Sequence, residues 1–149
     1  MQIRGKLHID PGALELADGQ GQLEIVIPYT EWSTTEALLR RVDALTAGLN
    51  PVITLVAVHT VPYPAPFACP TSVHAYLVEQ LIALADRSSV PVTPHVVLAR
   101  TAEEGFRHAL TPDSTILIGS RKRFWRTQEE SLARILAREG HRVALVHID

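Results

Sequence analysis

Ser114-Thr115-Ile116-Leu117-Ile118-Gly119-Ser120-Arg121 is the stretch from which the fold is read. Its centre is apolar and β-branched, it does not alternate with polar residues, and it ends at a glycine. A run of this kind fits a strand covered on both faces, as in a parallel sheet.

Moving outward, four more runs share this character. They are Leu23 to Ile27, Val52 to Val58, Val92 to Leu98 and Arg142 to Ile148. Pro94 interrupts the third of these and cannot donate to a ladder, so that strand is expected at an edge. Helical patterns lie between the strands. Ser33-Thr34-Thr35-Glu36 reads as a capping box, with Ala37, Leu38, Leu39, Val42 and Leu45 behind it and Gly48 as the stop. Thr71 to Arg87 carries Tyr76, Leu77, Leu81, Leu84 and Ala85 on one predicted inward face. Thr101-Ala102-Glu103-Glu104 opens a short helix that ends before Pro112. Thr127-Gln128-Glu129-Glu130 opens the last helix, with Leu132, Ile135 and Leu136 inward and Gly140 as its C-terminal stop. Strand and helix alternate from about residue 22 to the end. This predicts an α/β fold, an open five-stranded parallel sheet with helices on both faces and right-handed crossovers. Residues 1–21 stand outside the alternation and read as an N-terminal extension, either a hairpin on the sheet edge or a linker.

The 149 residues suit one domain with a core that needs no staples. A net charge of −2 gives no global attraction to nucleic acid or an anionic membrane. The single cysteine, Cys69, cannot form an internal disulfide, which fits a reducing, cytoplasmic setting. No apolar run is long enough to span a bilayer. Pro62, Pro64, Pro66 and Pro70 crowd the loop after the second strand, as a stiff connector or a recognition surface.

In an open parallel sheet, ligands bind beyond the carboxyl ends of the strands. The candidates are Tyr29, Thr30 and Glu31 after the first strand, His59 and Thr60 after the second, and Gly119, Ser120, Arg121 and Lys122 after the fourth; the resemblance below adds Ser131 on the last helix. Two pieces of this set carry a family resemblance. Ile116-Leu117-Ile118-Gly119-Ser120-Arg121, joined to Val143-Ala144-Leu145-Val146 as final strand, resembles the end of universal stress protein domains. Ile25-Val26-Ile27-Pro28 resembles their first strand. The resemblance covers residues 22–149. It implies a fold of the adenine nucleotide alpha hydrolase-like kind, an ATP or AMP site, and a homodimer paired through the last strand (Val143, Leu145, His147).

The sequence departs from the family's ATP loop. That loop has the form Gly-x-x-Gly, nine residues, then Gly-Ser or Gly-Thr. Gly119 matches the first glycine, but Lys122 stands at the second. Aligned by the helix, Glu130-Ser131 replaces Gly-Ser, with the loop two residues short. Thr30 stands where the family has an Asp, with Glu31 beside it. Glycines in such loops let backbone N–H groups approach a phosphate. A Glu130 carboxylate over the helix N-terminus would instead repel one by about 1–4 kcal/mol. Against this, Arg121, Lys122, Arg123 and Arg126 place four cations within six residues. They read as a solvated basic loop, a side-chain phosphate or headgroup site, or a nucleic-acid contact. Phe124 and Trp125 among them read as packing or dimer residues, or as a base-stacking platform.

Other chemistry finds little support. The seven histidines show no His-x-x-x-His spacing and Cys69 has no Cys-x-x-Cys partner, which argues against a metal site. Nucleophile-elbow and P-loop patterns are absent. The sequence therefore points to a binding or regulatory domain rather than an enzyme, acting through dimerisation and an unidentified protein partner, with no nucleic acid and no membrane insertion. One alternative is a nucleotide sensor built on the basic loop. Another is the cytoplasmic regulatory domain of a transporter resembling amino-acid permeases.

Overall fold

All five expected strands form, and they share one parallel sheet with a sixth. The computed structural model describes residues 7–9, 22–46, 50–61, 63–64, 71–111, 114–121 and 128–148. The strands are β1 (Leu7–Ile9), β2 (Gln22–Pro28), β3 (Asn50–Thr60), β4 (Val92–Ala99), β5 (Thr115–Arg121) and β6 (Arg142–Ile148). The helices are α1 (Trp32–Leu45), α2 (Thr71–Asp86), α3 (Ala102–Ala109) and α4 (Gln128–Arg138). The spatial order is β1-β6-β5-β2-β3-β4.

The sheet is doubly wound. Leu38, Leu39 and Val42 of α1 and Leu81 and Leu84 of α2 pack with Ile25, Ile27, Ile53 and Leu55 on one face. Phe106 of α3 and Ala133, Leu136 and Ala137 of α4 pack with Val56, Ile116, Ile118 and Leu145 on the other. Both faces of β5 are thus covered, and its residues Thr115 to Ser120 are all buried. This is the physical reason its sequence shows no alternation.

The two edges are built differently. Pro94 lies on edge strand β4, as its missing N–H predicts. The ladder between β3 and β4 is bracketed by Ile53 N–H to Pro91 O at 3.0 Å and Val61 N–H to Ala99 O at 2.8 Å. Every second residue of a parallel strand makes the ladder bonds. Odd-numbered residues of β4 therefore pair with β3, and Pro94 turns its nitrogen outward. At the other edge, β1 pairs in parallel with β6 from Leu7↔Val143 to Ile9↔Leu145. Of the N-terminal extension, read as a hairpin or a linker, the described residues form one strand parallel to β6, and it covers part of the β6 edge assigned to dimer pairing. His147 lies beyond that stretch, and its carbonyl accepts from Arg41 Nη1 at 2.7 Å.

Two local expectations are corrected. Ser33 is not the N-cap of α1. The helix starts at Trp32, with extended Glu31 as the cap residue and no side-chain cap bond. The Ser33 hydroxyl instead donates to Glu31 Oε1 at 2.7 Å. Tyr76 is 60% exposed rather than core, because its hydroxyl accepts from Gln80 Nε2 at the surface of α2. The other ends behave as read. Thr101 Oγ1 accepts from Glu104 N–H at 3.1 Å. Gly140 takes a left-handed φ of 101° after α4, where His141 N–H bonds back to Leu136 O. The readings of Gly48, Pro62, Pro66, Pro70, Cys69, Pro112, Thr127 and the basic stretch Lys122 to Arg126 lie outside the described residues.

Candidate functional site

A cleft of about 670 Å³ opens beyond the carboxyl end of β2, between the first turns of α3 and α4. The topology puts it there. Chain order runs outward from β2 through β3 to β4, then returns to β5 and β6 on the other side. The chains leaving β2 and β5 diverge at this switch point and leave a crevice. The volume lies within the range of small-molecule sites. Val58 of β3, Phe106 of α3 and Leu132 and Ile135 of α4 form its apolar part. Thr30, Glu31, Glu103, Gln128, Glu129 and Ser131 supply its polar groups.

Of the ten residues expected at the site, the structure brings four into this cleft, Tyr29, Thr30, Glu31 and Ser131, while Thr60 is exposed at the end of β3. His59 follows Val58 on β3, and successive strand residues point to opposite faces. Val58 borders the cleft, so His59, half-buried, belongs to the α1 and α2 face. Gly119 also faces α1. A Cβ there would stand 3.0 Å from Thr34 Cγ2 and 3.4 Å from Leu38 Cβ. The close approach of α1, rather than a phosphate, accounts for this glycine. Ser120 is fully buried in β5. Arg121 reaches the start of α1, where its Nη2 donates to Ser33 Oγ at 3.1 Å, and Ser33 in turn donates to Glu31. Lys122 lies outside the described residues.

The charged groups lining the cleft are carboxylates. Glu31 stands at the end of β2, Glu103 in the first turn of α3 and Glu129 in the first turn of α4. Among the described residues no Lys, Arg or His lines it. Each helix N-terminus carries a partial positive charge, and first-turn acids are its usual complement. Tyr29 borders the same opening, and its phenol donates to Gln80 Oε1 at 3.1 Å. Burial raises the Tyr29 phenol above its usual 10.0, and the neighbouring Tyr76 and Glu31 push it the same way.

Sequence reading missed Glu103, Phe106, Gln128 and Glu129. The signal was present in the two capping boxes: the first was read only as a helix start, and in the second Glu130 was placed over the helix N-terminus, whereas Glu129 lines the cleft. α3 and α4 follow consecutive strands and cover the same face, so their first turns meet at one crevice.

Among the described residues no group of three or more His, Cys, Asp and Glu side chains is placed to hold a metal ion. No described helix is long and apolar enough to cross a membrane. No protein-family model matches the chain, and no curated protein matches it.

Proposed function

We propose that this chain is a universal-stress-protein-like binding and regulatory domain that does not hold ATP through the family's glycine loop. The observation that carries this reading is the lining of the switch-point cleft. Glu31, Glu103 and Glu129 line the cleft at the switch point, where open parallel sheets take their ligands. A like charge at contact distance opposes a phosphate by about 1–4 kcal/mol. The packing of Gly119 against Thr34 supports the same reading, since it gives that glycine a role inside the fold.

The domain acts through protein contacts in a cytoplasmic setting. A homodimer through β6 (Val143, Leu145, His147) would compete with β1, which pairs with Val143 to Leu145, and with Arg41, which donates to the His147 carbonyl. Pairing across an exchangeable sheet edge is a common route to a dimer.

A thermal-shift titration with ATP, ADP and AMP, with and without Mg²⁺, tests the nucleotide part. A ligand at about 100 times its Kd adds roughly 2.7 kcal/mol, or about 5–10 °C for a domain of this size. The expected result is no shift at millimolar nucleotide. A shift of that size, lost in Arg121→Ala combined with Lys122→Ala, would instead establish a nucleotide sensor built on the basic loop.

A further inference from the structure

The cleft between α3 and α4 combines two features that select one kind of ligand. Its apolar part, made by Val58, Phe106, Leu132 and Ile135, suits a hydrocarbon or aromatic body. Its lining charges are three carboxylates, and they come from separate elements: β2's end, α3 and α4. Two helix N-termini oppose them with about half a positive charge each. Three full negative charges outweigh that, so the described lining favours a cation.

The nearby described cations are committed elsewhere. Arg121 donates to Ser33, which donates to Glu31, so it offsets that carboxylate in part and leaves Glu103 and Glu129 as the charges for a ligand. Arg107, on the exposed side of α3, pairs with Glu139 at 2.8 Å. Thr30 and Ser131 add neutral hydroxyls that can accept from an ammonium or guanidinium group.

We infer that this cleft is a binding site for a small organic cation, an amine or guanidinium compound with an apolar body. Glu103 and Glu129 hold the charged head, and Phe106, Leu132 and Ile135 cover the body. The inference rests on the reading that the cleft excludes phosphate, and it adds what the cleft admits.

Three probes with one body and different heads test it: phenethylamine, 2-phenylethanol and 3-phenylpropionate, titrated by thermal shift and calorimetry. The expected result is a dose-dependent rise in Tm with the amine alone, weakening as salt is raised. Glu103→Gln combined with Glu129→Gln should weaken amine binding by about tenfold or more, as charge-assisted hydrogen bonds are lost. Circular dichroism checks the fold of that variant. If it does not fold, the salt dependence and the comparison of heads on the unaltered chain still decide. An inert amine, an alcohol that binds as well as the amine, or amine binding unchanged in the double variant would overturn the inference. An ATP shift would overturn the phosphate-excluding reading instead, so the two failures are distinguishable.

Discussion

Gly105 shows how one missing side chain sets the cleft. A Cβ at this position of α3 would lie 2.5 Å from Val58 Cγ1, 2.8 Å from Val58 Cγ2 and 3.1 Å from Ala99 Cβ. Gly→Ala inside a helix ordinarily stabilises by roughly 0.5–1 kcal/mol. Here the β-branched Val58 on its strand has little room to yield. Gly105→Ala should therefore destabilise by about 1–3 kcal/mol in urea unfolding, and adding Val58→Ala should recover much of the loss. Tyr29 gives a second residue-scale expectation. Its phenol is raised above 10.0 in the folded chain, chiefly by burial. The folded state then holds the proton more tightly than the unfolded one. That contribution to stability is complete below about pH 10 and lost as pH rises through the folded value. Absorbance titration should show a tyrosine ionising above pH 10.0, and Tyr29→Phe should remove that step. At this scale the sequence was only partly legible. Gly119 looks like a loop glycine in one dimension, and the helix that crowds it, α1, begins more than eighty residues earlier.

The helices differ in how they are started. Thr101 caps α3 with its own side chain, whereas Ser33 sits one residue inside α1 and bonds to Glu31. Thr101→Ala should cost about 1 kcal/mol, and Ser33→Ala clearly less, in paired urea-denaturation curves. Equal costs would mean that Ser33 does cap in solution. Strands and helices were readable because parallel pairing leaves an unambiguous trace in sequence: β5 and β6 are apolar on both faces, and Gly140 marks its helix end with a backbone angle that favours glycine. Ser33 was misread because Ser-x-x-Glu marks a start at Thr34. The helix begins two residues earlier, directly after extended Glu31 at the exit from β2. The three-residue β1 left too short a pattern to read, and its partner lies at the far end of the chain.

For the molecule as a whole, the proposed association turns on the sheet edges. β4 carries an outward-facing proline, which withholds one donor from any incoming strand. β6 is shielded by β1 over Val143 to Leu145. Deleting residues 1–9 should free that stretch and shift the chain toward dimer at a given concentration, as read by sedimentation velocity. An unchanged distribution would show that β6 needs no cover. The same pairing has a temporal consequence. Of the described strands β1 is made first, yet its only described strand neighbour is the last of them to be made, with most of the described strands between them in sequence. Closing so long a loop is slow, because its entropy is lost before any contact forms. The nascent chain can therefore wind the sheet from β2 onward while its opening residues stay undocked. Placement of β1 then waits until β6 has been made.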